Sequence, residues 1–575
     1  MKRTFLLIGI LMAVITSRAY SETTVHFPDA KLKAAIEQEL DIYNPTPIDM
    51  LTLTRLFASN REITDLTGLE YAANLTELDL DDNQITDISA LDGLANLIGL
   101  ELGNNRIDDI SVLSGLTNLM ELYLWSNQIS DISALDGLTN LMELDLSNNH
   151  LANISALDGL TNLMELYLWS NQINDISVLD ELTNLTALKL GNNQISDISA
   201  LDGLTNLTGL DLSFNQINGI SALAGLANLM ELDLGNNHIG DISELDGLTN
   251  LTGLDLSFNQ INDISVLGRL TNLTELDLGN NLIVDISALD GLTNLTGLDL
   301  SFNQINDIFV LGMLTNLTKL SLGSNQIEDM SALDGLTNLK ELYLCNNQIG
   351  DISALDGLVN LIGLELGNNR IGNISVLAGL TNLIELYLWS NQISDISALA
   401  GLTNLSRLDL RVNPLNQDAY NIYIPRILQN NPVIRLYWDT SAEDIGIVGI
   451  NRWWAYTDRA ISPKLDIIIS EEANYSLQVV IHATGLTVNN WKLSSNPFIV
   501  IDGDNTHYSF NYIDEADLGI LTVGRHELDI YTLVAPSEPI INRVTFILRR
   551  KDVPPPLDEI DEYDVMFIAD WFVMI

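Results

Sequence analysis

Carboxylates are the side chains that this sequence sets out both in quantity and in register. Asp and Glu number 77 against 26 Lys and Arg, for a formal net charge of −51. One column, repeating at multiples of 22 residues, holds Glu77, Glu121, Glu143, Glu165, Glu231, Glu275, Glu341 and Glu385. Two residues on, a second holds Asp79, Glu101, Asp145, Asp211, Asp233, Asp255, Asp277, Asp299, Glu365 and Asp409. Lys189, Lys319 and Arg407 stand in these columns with opposite charge, and Arg411 is close by. Neighbouring carboxylates about 5 Å apart repel by about 0.8 kcal/mol per pair even at water's dielectric, so a basic partner or bound cations would relieve the face. The same charge makes nucleic acid and an anionic membrane poor partners.

A third acid column (Asp87, Asp109, Asp131, Asp175, Asp197, Asp241, Asp263, Asp285, Asp307, Asp329, Asp351 and Asp395) precedes a short turn, where a carboxylate can cap open amide groups. Calcium is the sharper alternative for so many hard oxygen ligands, yet no D-x-D-x-D-G loop with its distant Glu occurs. No metal and no cofactor are expected.

Aromatics interrupt the acids in register. Tyr123 with Trp125, Tyr167 with Trp169 and Tyr387 with Trp389 project from three strands, and Tyr343 occupies the same column. Tyr and Trp among charges have the composition of binding hot spots. Phe214, Phe258 and Phe302 recur every 44 residues, and such regularity reads as a spine packed between turns. Catalytic patterns are missing from the sequence: the six histidines show no H-E-x-x-H or paired ligand spacing, and no G-x-S-x-G, Walker or dinucleotide fingerprint occurs. Cys345 has no arranged histidine and reads as an incidental free thiol; one cysteine excludes an internal disulfide framework.

The elements that position these columns come from a strict 22-residue repeat, as in LTNLTELDLGNNLIVDISALDG over 270–291. Asparagine recurs at Asn83, Asn105, Asn127, Asn149, Asn171, Asn193, Asn215, Asn237, Asn259, Asn281, Asn303, Asn325, Asn347, Asn369, Asn391 and Asn413 without an insertion. An earlier unit carries Arg61 where the asparagine would stand and reads as a terminal repeat. Alternation in LTELDL predicts a short strand with Leu276 and Leu278 inward and Asp277 outward. Asn281 then stands where the chain turns away, and its buried amide can satisfy backbone groups that the turn leaves open. Ile283, Ile286 and Leu289 return to the core along a stretch too short for a full helix. The period and pattern are those of a leucine-rich repeat, and no single unit can fold without its neighbours. The fold class is therefore an α/β solenoid, a horseshoe with a concave parallel β-sheet.

The ends differ from the repeat. In DAKLKAAIEQEL, Leu32, Ala35, Ile36 and Leu40 fall on one helical face, predicting a helical cap over 22–52. Repeats occupy 53–436; Pro414 and Pro425 break the frame, with Tyr420, Tyr423, Ile424 and Leu428 set to close that end. Six strand-like runs between 437 and 551 (465–469, 477–482, 498–501, 508–512, 527–534 and 543–548) predict an antiparallel sandwich, with Trp453, Trp454 and Tyr456 at the junction. Residues 552–575 read as a proline-containing acidic linker and tail. Residues 1–21 read as an export signal: Lys2 and Arg3 precede the apolar run 5–15, which is too short to span a bilayer, and Ala19 and Ser21 suit a peptidase.

A helical cap, repeats of the LTNLxxLxLxxNxIxDISxLxG kind and a following sandwich together resemble the bacterial internalins and internalin-like surface proteins. The resemblance implies an exported protein-binding scaffold, often an adhesin engaging a host receptor through the concave face, and an Ig-like C-terminal domain. No LPxTG sorting sequence appears, a departure from the wall-anchored members. The expected function is non-enzymatic binding of a protein with a basic surface, on a concave face built from Glu121, Tyr123, Trp125, Glu143, Asp145, Glu165, Tyr167, Trp169, Asp233, Asp255, Asp277, Asp299, Tyr343, Tyr387 and Trp389. Its rivals are a glycan-binding adhesin, in which the aromatics stack on sugars, and a passive surface spacer.

Overall fold

The structure is a computed structural model that describes residues 23–438 and, beyond them, the backbone of strands between 460 and 570. The expected export signal, the Trp453 cluster and the proline-rich stretch lie outside the described residues. The chain divides into two units, 1–386 and 387–575.

The first unit opens with helix α1, Ala30–Leu40. Asp29 caps it: one carboxylate oxygen accepts from the amides of Lys31 (2.8 Å) and Leu32 (3.1 Å). The other accepts from the amide and hydroxyl of Thr64 at 2.8 and 3.1 Å, fastening the helix to the first repeat. Leu32, Ala35 and Ile36 are buried, while Leu40, in the last turn, is half-buried. A second short helix, α2 (Pro47–Met50), escaped the sequence reading because four residues show no periodicity. Its signal is local: Thr46 and Asp49 form a reciprocal capping box, with Pro47 at the start.

From Arg55–Phe57 to Gly363–Glu365, three-residue strands pair in parallel with their sequential neighbours, in a register one repeat long, as in Leu254↔Leu276 and Leu276↔Leu298. Fifteen such strands, at about 4.8 Å per step, give a sheet about 67 Å wide. In each strand the central Leu is buried and its two neighbours face outward. All seven inward aliphatics of the 270–291 unit (Leu270, Leu273, Leu276, Leu278, Ile283, Ile286 and Leu289) are at most 3% exposed, so packing consumes every apolar position of the pattern. On the return side the chain forms 3₁₀ turns of three to five residues, such as Ser287–Gly291. Asp285 accepts from the amide of Ser287 at 2.8 Å. That bond, and the Ser287 hydroxyl, hold its carboxyl below the usual range.

Each repeat asparagine joins two repeats. Asn259 donates to the carbonyls of Leu234, Leu256 and Ser257 at 2.9, 3.2 and 3.1 Å, and its Oδ1 accepts from the amide of Ile239 at 2.9 Å. A second asparagine ladder runs through the LTNL segments: Asn272 donates to the Thr249 carbonyl, and Asn96 to that of Ala73.

In the second unit, Arg407–Asp409 pairs in parallel with Arg435–Tyr437. Between them a π-helical turn, Ala419–Tyr423, runs into helix α3, Ile424–Asn430. Ile424 and Ile427 are the buried closing residues. Of the four residues expected to close this end, Tyr420, Tyr423 and Leu428 are half-exposed instead, because the helical turn brings Ile427 inward beside Ile424. Asn431, off the 22-residue spacing, does the ladder's work here: it is buried, accepts from the amide of Leu405 (2.9 Å) and donates to the carbonyls of Leu402 and Ile427. Further on, antiparallel strands form a five-stranded and a four-stranded sheet. Each of the six runs read from the sequence overlaps a strand; Ala460–Ile461, Glu515–Leu521 and Val565–Asp570 were not read as strands. The last of these pairs with Ile541–Arg550, so the tail carries a strand of the four-stranded sheet.

Candidate binding face

The first and third strand positions escape the core, and they carry the acids. The third-position carboxylates do not stand free. Asp145, Asp233, Asp255, Asp277 and Asp299 each accept from the amide two residues ahead at 2.7–2.9 Å. They are half-buried. Burial, and then the neighbouring aspartates, push the carboxyls of Asp233 and Asp277 up to about 6, against the opposing backbone hydrogen bonds. Burial also raises Asp145, which the Ser147 hydrogen bonds and Lys189 partly offset. The acid stripe is thus partly a structural brace, and at Asp233 and Asp277 it gains negative charge as pH rises through about 6.

The first-position glutamates sit differently. Glu231 and Glu275 each reach across to the next repeat, where the hydroxyls of Thr252 and Thr296 donate to them at 2.8 and 2.7 Å. Gly253 and Gly297 make room: a Cβ there would meet the glutamate Oε2 at 1.9 and 1.7 Å. Glu121, Glu143 and Glu165 occupy the same column among the aromatics. Tyr123 donates its hydroxyl to Glu143, Tyr167 to Glu165 and Tyr343 to Glu341. The ammonium of Lys189 lies 5.3 Å from the centre of the Tyr167 ring.

Trp125 is half-buried and lies over Gly103, where a Cβ would come 2.1 Å from the indole Nε1. Trp169 is 46% exposed. In the second unit Tyr387 and Trp389 are half-exposed, and the Tyr387 hydroxyl accepts from Arg407 Nη1 at 2.8 Å.

The expected phenylalanine spine is not there. Phe214, Phe258 and Phe302 are 57, 51 and 56% exposed, and each has φ 53°. They occupy the left-handed residue of the turn, where intervening repeats place Asn236 and Asn280. A left-handed L-residue costs about 1–2 kcal/mol, least for asparagine. The regular 44-residue spacing therefore reports a surface feature, because the adjoining interior is already filled by leucine.

Among the described residues, two of the hollows on the first unit border its strands. One, about 500 Å³, crosses seven strands from Ala187–Lys189 to Lys319–Ser321 and is floored by the acid stripe. The other, about 1000 Å³, follows the edge where the chain enters the strands, along Ile98, Met120, Met142 and Met164. Sequence reasoning missed the second, although the methionines share one repeat position. It also missed the group Asp79, Asp81 and Glu101, whose carboxylate oxygens lie within 4.8 Å of one another, because Asp81 occurs in one repeat alone. Burial, and the charges of Glu101 and Asp79, raise Asp81 to about 7. One oxygen of Asp81 is already taken by the Gly103 amide at 2.5 Å. Cys345 is half-buried, and burial with Glu365 beside it pushes its thiol up to about 12, which disfavours the nucleophilic thiolate.

The family described as Leucine Rich repeats (2 copies) matches residues 51–93, 73–115, 95–137, 205–247, 249–291, 293–335, 337–379 and 381–421. This chain belongs to the leucine-rich-repeat family. A second description, Leucine rich repeat, matches 117–173 and 161–217. Internalins stand among the similar solved leucine-rich-repeat structures, as the sequence resemblance implies. The internalin InlF of Listeria monocytogenes is 35% identical, over 67% of this chain and 96% of that one, with a TM-score of 0.42. A leucine-rich-repeat protein of Leptospira interrogans is 28% identical, over 68% and 97%, with a TM-score of 0.56. The functional domain of Listeria monocytogenes InlJ, which includes a cysteine ladder, is 21% identical over 92% and 94%, with a TM-score of 0.52. No curated protein sequence matches. No described helix is long and apolar enough to cross a membrane.

Proposed function

We propose that this protein is a non-enzymatic scaffold whose strand face binds a protein ligand with a basic surface, and that it is exported through residues 1–21 to act as a secreted or surface-bound adhesin. Leucine-rich-repeat proteins act generally as protein-binding scaffolds. One observation supports a basic ligand on this face. The strand positions left over from packing hold carboxylates in register, several raised by burial and mutual repulsion, with Tyr and Trp side chains set among them. Approach of a cationic surface would lower that repulsion, and the aromatics would supply the apolar contact area that charge alone lacks. Residues 437–551 are proposed as an Ig-like sandwich behind the repeats.

The test is capture from candidate host and bacterial surface extracts by the purified protein, beside a Trp125→Ala, Trp169→Ala, Trp389→Ala variant, at low and high salt. A protein held by the wild type alone and released by salt is the expected result. Binding that survives high salt would favour a glycan ligand. Equal recovery with both forms would remove the tryptophan-bearing part of the strand face from the function.

A further inference from the structure

The hollow across the first unit has a finer period than the repeat itself. Within it the first strand position alternates, with Glu231 and Glu275 separated by Gly253 and followed by Gly297. The two glutamates are held alike, each laid over a glycine and fixed by a threonine hydroxyl from the next repeat. Phe214, Phe258 and Phe302 follow the same two-repeat period, just beyond the ends of the glycine-bearing strands, and expose more than half of their surface from a strained turn position. The backbone ladder continues through them: the amides of Phe214, Phe258 and Phe302 each donate to a carbonyl of the next repeat at 2.8 Å. One row of anions and one row of aromatic rings therefore recur together every two strand steps, about 9.6 Å.

A polyproline II helix repeats every three residues, about 9.3 Å. We propose that the hollow is a subsite for a proline-rich segment in the polyproline II conformation, with a lysine or arginine at every third position. The cations would meet the glutamates and the aspartate stripe that line the hollow, while the proline rings would reach toward the phenylalanines that stand beyond its lining at the strand ends, aromatic side chains being the usual partners of such segments. This rests on the basic-ligand reading above and gives it a register. Length is bounded too. The unbroken aspartate run from Asp211 to Asp299 covers four strand steps, about 19 Å, and Lys189 and Lys319 close its two ends with opposing charge. About six residues of polyproline II span that distance.

The probes are two peptides of one composition: nine residues repeating Pro-Pro-Lys, and a block isomer with six prolines before three lysines. Calorimetry with the full-length protein at low salt should find the periodic peptide about tenfold tighter, the worth of two partly desolvated ion pairs. Glu231→Gln with Glu275→Gln should abolish that preference. Phe214→Asn, Phe258→Asn and Phe302→Asn together should weaken the periodic peptide while leaving the fold intact, since Asn236 and Asn280 already occupy the same turn position. Lengthening the peptide beyond nine residues should add little. Equal, salt-sensitive affinity for both peptides would overturn the register while leaving the basic-ligand reading in place. Failure of both peptides, with a basic protein still captured on the strand face, would overturn the hollow as the subsite; failure of every basic probe would overturn both.

Discussion

Replacing Asn259 by Ala removes one rung of the asparagine ladder, and the structure fixes what is lost. The carbonyl of Leu234 keeps a donor, because Asn237 also reaches it at 3.1 Å; that of Leu256 keeps Asn281 at 2.9 Å, and that of Ser257 keeps the amide of Asn236 at 2.9 Å. The amide of Ile239 is different, since its acceptor is Asn259 Oδ1, in a buried setting. An orphaned buried donor costs about 1–3 kcal/mol, and three weakened carbonyl bonds add roughly a further 1 kcal/mol, so the variant should lose about 2–4 kcal/mol. A long repeat array need not unfold in one step, so the readout is hydrogen exchange of the Ile239 amide. Opening cheaper by that amount speeds exchange by about 30- to 1,000-fold. Exchange within about threefold of wild type would refute the account of the ladder as the closure of a buried amide.

Stability should depend on pH in two opposed ways. Asp81, Asp233 and Asp277 have raised carboxyls, so the folded state binds more protons than the unfolded chain between about pH 4 and 7, and stability falls as pH rises through that window. The lowered carboxyls of the return-side aspartates, such as Asp285, contribute stability that is lost as pH falls through their folded values. Calorimetric Tm at low salt should therefore peak near pH 4 and decline toward pH 7; a Tm that climbs steadily from pH 5 to 8 would contradict this. Gly103→Ala should displace Trp125 from its seat and red-shift the tryptophan emission; unchanged emission would mean that the indole does not rest there. Phe258→Asn should raise stability by up to about 1 kcal/mol by relieving a left-handed phenylalanine, and a clear loss in denaturant melts would restore the packed-spine reading.

The repeat was legible because its chemistry is redundant. A strand of three residues carries almost no propensity signal, yet the Leu-x-Leu pattern stated many times over fixes the buried face of Leu276 and Leu278 and the turn at Asn281. The single-copy features were not legible. Helix α2 is too short for periodicity, Asn431 sits off the spacing, and Asp81 appears in one repeat. Phe258 misled because regular spacing reports position and not direction: the repeat sets every copy of a residue on the same side, inside or outside alike. The acids were found as columns, but their division of labour was not, because it depends on the amide two residues ahead for Asp277 and on the glycine of the next strand for Glu275.

The most direct test of the strand face as the binding surface is the pH dependence of affinity for a basic ligand at constant low salt. Protonation of Asp233 and Asp277 near pH 6 removes charge from the floor of the hollow, so the account predicts affinity that strengthens from pH 5 to 7.5 and loses that rise in an Asp233→Asn, Asp277→Asn variant. A ligand that binds both forms with the same pH profile would place recognition elsewhere on the protein.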